Sequence, residues 1–323
     1  MCPQCARVTG DNKVNPRLEM KDLTVDDYIT IFTPFIGKQI RIIHCGNYGD
    51  AIASPTFDKT NMWLYENGFK SVTVMTNGSA RNTEWWANLA KLGTYVVFSI
   101  DGLEDTNHIY RVNSNFKKII ENIKAFVGAG GLARWDYIMF DHNKHQVDEA
   151  RQLSKDLGMD AFNLKITSRF VSEQKDTVDN KNLIQVKDIK NNALKRDYNN
   201  IVSEYDSFDN YVRATPITCK YKDMKRYYID FNMRLWPCCW VGAPGLFHSE
   251  NEQSVDLKRV TDKFGEDFNR LDLHGWDNVL SHEFYNSYLE NSWVNENRIY
   301  TCGRTCGDKY EFSSGYGKNT NIK

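Results

Sequence analysis

In the first half of the chain, short apolar runs rich in β-formers alternate with longer stretches whose apolar positions recur every three to four residues. Residues 39–44 (Gln-Ile-Arg-Ile-Ile-His) read as a strand that ends at Cys45-Gly46-Asn47-Tyr48-Gly49-Asp50. Residues 56–67 read as a helix anchored by Phe57, Met62, Trp63, Leu64 and Tyr65, with Gly68 placed to end it. The same alternation predicts strands over 72–75, 95–100, 135–140 and 162–166, and helices over 82–91, 115–127 and 145–157. Strands separated by single helices and short loops form parallel sheets covered by helices, so the expected class is α/β.

The pattern changes after residue 170. Residues 171–215 are dense in Lys, Asp, Asn and Glu, and read as a charged connector with one helix over about 186–204. Beyond it, Tyr227–Phe231 and Arg234–Trp236 form the arms of a hairpin around Asn232-Met233, followed by helical patterns near 256–270 and 281–290. The tail after Tyr310 is rich in Gly, Ser, Asn and Lys and is expected to fray. This divides the chain into 1–170, 171–215 and 216–323. No repeat of fixed period is present.

Composition narrows the function. With 41 Lys plus Arg against 42 Asp plus Glu, the 323-residue chain carries a net charge of −1, without the basic excess of a nucleic-acid binder. No run of about 18 apolar residues marks a membrane span, and the first residues lack the apolar stretch of a secretory signal, so a cytoplasmic protein is expected.

Polar and glycine residues recur just past the strand ends, as GNYGD (46–50), TNGS (76–79), SIDG (99–102) and FDHN (140–143). Each alone is ordinary turn chemistry, and Asp50 and Asp101 also suit turn or cap positions. Four at one edge of a parallel sheet coincide with the edge at which such sheets bind ligands.

The eight cysteines cluster. Cys2 and Cys5 form C-x2-C; Cys219 precedes Cys238-Cys239 by 18 residues; Cys302 and Cys306 are a close pair from a later loop. Paired thiols in a chain of this size point to metal rather than disulfides. Cys219, Cys238, Cys302 and Cys306 suit a closed four-thiolate site, and spacing alone does not separate zinc from iron–sulfur. Cys45 and Cys239 read as buried thiols, since two adjacent cysteines cannot both face one site.

The order of these features resembles the radical S-adenosylmethionine (SAM) enzymes. Cys2-Pro3-Gln4-Cys5-Ala6-Arg7 is similar to the last two cysteines of that family's C-x3-C-x2-C loop, which binds a [4Fe–4S] cluster. Gly46, Gly49 and Asp50 resemble the segment that contacts the SAM amino group, and Thr76-Asn77-Gly78 the family's T-N-G. Ser99 and Asp101, with His108 and Arg111 downstream, resemble its S-x-D-G…H…R stretch. Asn143 is similar to a polar residue near the ribose or methionine of SAM. The downstream cysteines resemble a twitch domain, the shortened SPASM domain, with an auxiliary [4Fe–4S] cluster.

The resemblance implies a partial (β/α)6 TIM-like barrel followed by a small α+β twitch/SPASM-like domain. It implies reductive cleavage of SAM to a 5′-deoxyadenosyl radical that abstracts hydrogen from a peptide, protein or small molecule. A flavodoxin or ferredoxin would be the reductant, and Arg111 would pair with the SAM carboxylate. The family's first cysteine and first strand would lie before Met1, so the sequence is expected to begin late; Cys45 is a conceivable substitute ligand. The alternative is a non-catalytic zinc- or iron–sulfur-stapled binding module.

Overall fold

A computed structural model describes residues 2, 5, 7, 14–16, 18–47, 49–167, 192, 195–242, 252–294 and 297–309. Its centre is a five-stranded sheet in the order β1 (Ile42–His44), β2 (Val72–Thr76), β3 (Tyr95–Ser99), β4 (Ala133–Ile138) and β5 (Ala161–Lys165), each pair parallel. The crossovers are α2 (Phe57–Glu66), α3 (Thr83–Ala90), α5 (Phe116–Gly128) and α6 (Val147–Asp156), with a short α4 (Asn107–Tyr110) before α5. α1 (Val25–Phe32) precedes β1, its start fixed by a reciprocal cap between Thr24 and Asp27.

Strand alternation decides the layers. Val96, Phe98, Trp135, Tyr137 and Phe162 point to the helices and are buried against Trp86, Ile123 and Phe126. Each such side chain contributes about 1.5–3 kcal/mol of burial. The intervening residues Ser99, Arg134, Asp136, Asn163 and Lys165 therefore face the other side of the sheet. α3 and α5 start where Asn82 and Asn115 accept the backbone N–H of Trp85 and Lys118.

Two strands differ from the sequence expectation. β1 is shorter because the chain turns at Lys38–Ile40, where the Ile40 N–H bonds to the Lys38 carbonyl. β4 lies two residues earlier than 135–140, pairing Ala133 with Val96. It ends because Phe140 turns away: its N–H donates to Asn143 Oδ1 at 2.7 Å and its ring packs on Tyr110.

After the sheet come α7 (Lys195–Tyr205), α8 (Phe208–Ala214) and α9 (Lys220–Asp223), then the antiparallel hairpin β6 (Tyr228–Ile229) and β7 (Leu235–Trp236). The helix expected over 186–204 lies partly outside the described residues; over 195–204 it coincides with α7, which runs one residue further. The hairpin is followed by α10 (Cys239–Gly242), α11 (Glu252–Phe264), α12 (Leu271–Leu280, broken at Gly275), a π-helical turn Phe284–Tyr288, α13 (Leu289–Ser292) and α14 (Tyr300–Cys306). α11 stops six residues before the expected 270, at Gly265 with φ +88°. The hairpin elements dock on α1: Trp276 Nε1 donates to the Ile31 carbonyl at 2.8 Å, and Met233 and Leu235 pack on Ile31. The expected tail after Tyr310 lies outside the described residues. Among the described residues, no helix is long and apolar enough to cross a membrane.

Candidate active site at the strand ends

The loops after β3 and β4 are tied together by Asp101 and Asn143. Asp101 is fully buried; its Oδ1 accepts the Ile138 N–H at 2.7 Å and its own N–H donates to Asn107 Oδ1 at 2.9 Å. Its Oδ2 accepts Arg111 Nε at 2.5 Å, and Arg111 Nη1 donates to Cys2 Sγ at 3.3 Å. Burial works against the Arg111 charge, but Asp101 and Cys2 outweigh it and raise the guanidinium above its ordinary range. Gly102 permits this loop: its φ is +149°, and an added Cβ would stand 2.3 Å from Thr106 Oγ1. Cys2 and Ile138 pack against the buried pair Tyr110 and Phe140, and the Cys5 N–H closes on the Cys2 carbonyl at 3.0 Å.

Asn143 is 0% exposed, and its Nδ2 donates to the Asp101 and Ile138 carbonyls at 2.8 and 3.0 Å. In this structure it clamps two loops, a task different from the cofactor contact expected of it. Arg111, expected to face a carboxylate of SAM, is held by the carboxylate of Asp101. His108 is exposed.

The next two loops meet at Asp50. Its Oδ2 accepts Thr76 Oγ1 at 2.7 Å and the Asn77 N–H at 3.0 Å. Its Oδ1 is buried without a hydrogen-bond partner among the described residues, and burial raises the pKa of the carboxyl above its ordinary range. Asn77 Oδ1 accepts the Ser79 N–H at 2.8 Å. Gly46 and Gly49 keep the loop thin: a Cβ on Gly46 would lie 3.0 Å from the Gly49 carbonyl, and one on Gly49 would lie 3.2 Å from Arg7 Nη1. Ser99 ends β3 in register with Asp136. The edge thus offers a buried acceptor short of a donor, thin glycine backbone and a thiol beside a cation. That set fits a zwitterionic, sulfonium-bearing ligand next to a thiolate-bound cluster.

A second site lies in the C-terminal elements. Cys219, Cys238, Cys302 and Cys306 line one small cavity, covered by Trp240, Val241, Leu289 and Trp293. Cys302 and Cys306 come from helix α14, not from a loop, and their four-residue spacing puts them on one face. Burial pushes the Cys302 thiol up to about 12 and the Cys238 thiol well above its usual range. Cys306 is raised first by its hydrogen bond with Cys219 and then by burial. Two buried thiols, Cys238 and Cys306, and two half-buried ones, Cys219 and Cys302, gathered round one cavity suit a cationic group that would neutralise their thiolates. Among the described residues, no three His, Cys, Asp or Glu side chains are gathered as tightly as a single metal ion needs. Cys239 points elsewhere, with Sγ 3.9 Å from Tyr221 Oη, and does not line the cavity. Cys45 is half-buried, and the charges it senses are Cys239 and Arg226; desolvation pushes its thiol up to about 12.

No family model and no curated protein sequence matches the chain. Solved structures do. Native anSMEcpe with bound AdoMet aligns with 94% of this chain and 86% of its own, at TM-score 0.54 and 12% identity. Native anSMEcpe with bound AdoMet and Cp18Cys peptide aligns at TM-score 0.51 and 12% identity, over 86% of this chain and 80% of that one. The chain has the radical SAM fold. Streptococcus suis SuiB bound to S-adenosylmethionine is also similar, at TM-score 0.46 and 14% identity; the match covers 71% of this chain and 56% of SuiB, so the chain spans little more than half of SuiB.

On this radical SAM fold the residues expected from the sequence fall into two groups. Cys2, Asp101 and Arg111 touch, and Asp50, Thr76 and Asn77 touch, at the carboxyl edge of one sheet. The four downstream cysteines form the other group. Sequence reading missed Asn107, which no spacing rule singles out, and named Arg7 only as the end of the Cys2–Arg7 motif, without its approach to Gly49. It also missed the charged face of β4 and β5, which a strict period-2 reading of 133–138 and 161–165 reveals.

Proposed function

We propose that this chain is a radical SAM enzyme. The observation that carries the reading is Arg111, which bridges buried Asp101 and Cys2 at the same sheet edge where Asp50 Oδ1 has no hydrogen-bond partner among the described residues. Cys2 and Cys5 would supply thiolates to a [4Fe–4S] cluster; Asp50, with Gly46 and Gly49, would receive the SAM amino group, while Thr76 and Asn77 hold Asp50 in place. When bound, cluster and SAM supply reductive cleavage of a sulfonium and hydrogen abstraction from a substrate. The chain's part is to orient the ligand, with Asp101 fixing Arg111 and Asn143 clamping the loops, and to exclude water.

Cys219, Cys238, Cys302 and Cys306 would hold an auxiliary [4Fe–4S] cluster of the closed, four-cysteine kind found in twitch and SPASM domains. The tryptophan cover would tune its potential by keeping solvent away. A peptide or protein substrate is supported by the anSMEcpe structure that holds a peptide, and a flavodoxin or ferredoxin would deliver the electron. Full-length protein reconstituted anaerobically with iron and sulfide, then given SAM and dithionite, should release 5′-deoxyadenosine. Colourless protein with stoichiometric zinc and no 5′-deoxyadenosine would replace this reading with that of a stapled binding module.

A further inference from the structure

Two N–H groups near the C-terminal cysteines have nothing to donate to. Trp293 Nε1 and Arg298 Nε are both buried, and neither has a hydrogen-bond partner among the described residues. A buried donor left unpaired costs about 1–3 kcal/mol, so two of them in one place call for an acceptor. They belong to one unit: Arg298 Nη1 donates to the Trp293 carbonyl at 2.7 Å, and Nη2 donates to the Thr215 carbonyl. Backbone carbonyls do not neutralise a guanidinium, and Arg298 has no carboxylate partner among the described residues.

Both groups act on Cys302. Trp293 lines the cavity that Cys219, Cys238, Cys302 and Cys306 share. Burial and the neighbouring Cys219 raise the Cys302 thiol; the Trp293 indole N–H and the Arg298 charge work against them. Arg298 senses the same sulfur: burial lowers its guanidinium below the ordinary range, and Cys302 draws it back up. Asp256 also raises the Cys302 thiol, but Arg259 Nη2 stands 2.9 Å from its Oδ1 and offsets part of its charge. Trp240, the other tryptophan on the cavity, donates its N–H to Tyr221 Oη at 3.0 Å instead. One open N–H and one cation without a counter-ion therefore converge on one sulfur. A thiolate bound to iron keeps the lone pairs and negative charge that would satisfy both.

We propose that Arg298 and Trp293 set the reduction potential of a cluster held by Cys219, Cys238, Cys302 and Cys306, Arg298 through its charge and Trp293 through an N–H bond to the Cys302 sulfur. The inference rests on the auxiliary-cluster reading. One electron added to a four-thiolate cluster adds one negative charge, and a cation or N–H at its sulfurs stabilises the reduced form more than the oxidised one. Arg298 and Trp293 thus hold the potential up, while Asp256 holds it down. None of the three ligates iron.

The test is an anaerobic redox titration of the full-length chain, with dithionite as electron donor and the reduced cluster read by electron paramagnetic resonance. Cys2→Ala with Cys5→Ala in every sample leaves the C-terminal cluster to be read. Arg298→Gln should lower the equilibrium constant for reduction about tenfold, a drop of ~59 mV for a one-electron couple, with iron content unchanged. Arg298→Lys, which keeps the charge, should recover most of that drop. Trp293→Phe should move the potential the same way by less, and Asp256→Asn should move it upward. Opposite signs at Arg298 and Asp256 are what charge produces and lost packing does not. If Arg298→Gln loses its iron, Trp293→Phe and Asp256→Asn carry the test. Unchanged potentials in iron-replete variants, shifts of one sign at Arg298 and Asp256, or an equal drop in Arg298→Lys overturn the inference and leave the cluster reading standing. A Cys2→Ala, Cys5→Ala protein that takes up zinc or no iron overturns the cluster reading, and this inference with it.

Discussion

Arg111 and Asp101 form an ion pair in which Nε stands 2.5 Å from a carboxylate that is fully buried, while the Arg111 side chain is 18% exposed. The pair joins the loop after β3 to Cys2 and, through the Ile138 N–H, to the end of β4. Neither partner has a substitute: removing one leaves the other charge buried. Asp101→Asn should therefore destabilise the protein by about 3 kcal/mol, within the range for breaking a buried pair. Urea unfolding of the two proteins checks this, and an unchanged midpoint would mean the pair contributes no more than a surface one.

Gly102 is required by its backbone and by its neighbours. At φ +149° a side chain is strained, and a Cβ would also meet the Asn107 N–H nitrogen at 2.7 Å. Gly102→Ala should cost at least about 1–3 kcal/mol and loosen the Asp101 loop. Thermal unfolding reads the first effect, and faster amide exchange at Ile138 reads the second.

His44 should make the fold acid-sensitive. Its Nδ1 lies 3.2 Å from Tyr28 Oη, its Nε2 is buried without a partner among the described residues, and burial lowers its pKa from 6.5 to about 4. Below pH 6.5 the unfolded chain takes up a proton that the folded one refuses until about pH 4, so stability falls as pH falls through that window. The loss amounts to roughly 3 kcal/mol at most. Denaturant titrations of wild type and His44→Gln from neutral pH downward should converge as the wild type weakens; parallel curves would refute it.

Iron should follow the α14 cysteines. Cys302→Ala with Cys306→Ala should remove about four irons per chain and destabilise the hairpin and its helices, because metal binding contributes folding energy. Iron and sulfide quantitation after anaerobic reconstitution checks the count. Iron equal to that of wild type would mean the second site lies elsewhere.

Much of the frame was legible before any coordinates. The strands at 72–76 and 95–99 and the helices between them follow from period-2 and period-3.6 spacing, since both arise within a few residues of chain. The hairpin around Asn232-Met233 was legible for the same reason. α1 was missed because Val25–Phe32 gains its partners from α2 and α12, far along the chain. α14 was missed because two cysteines and Gly303 give it little apolar signature of its own; Gly303 is there because a Cβ would stand 2.2 Å from the Val212 carbonyl of α8.

By itself, then, the sequence determined the alternating layers, the polar loops at one edge and the grouping of the cysteines, all of them properties of local spacing. Only the tertiary structure decided which residues of those sets meet. It put Arg111 on Asp101 and Cys2, gave Asn143 to the loops, and separated Cys238 from Cys239 by turning them to different neighbours. It also gathered Arg134, Asp136 and Lys165 on one face of the sheet. The reason is physical: sequence separations here run from 2 residues for Arg134–Asp136 to 109 for Arg111–Cys2, and even where both partners are near in sequence, burial in the fold decides which groups must pair.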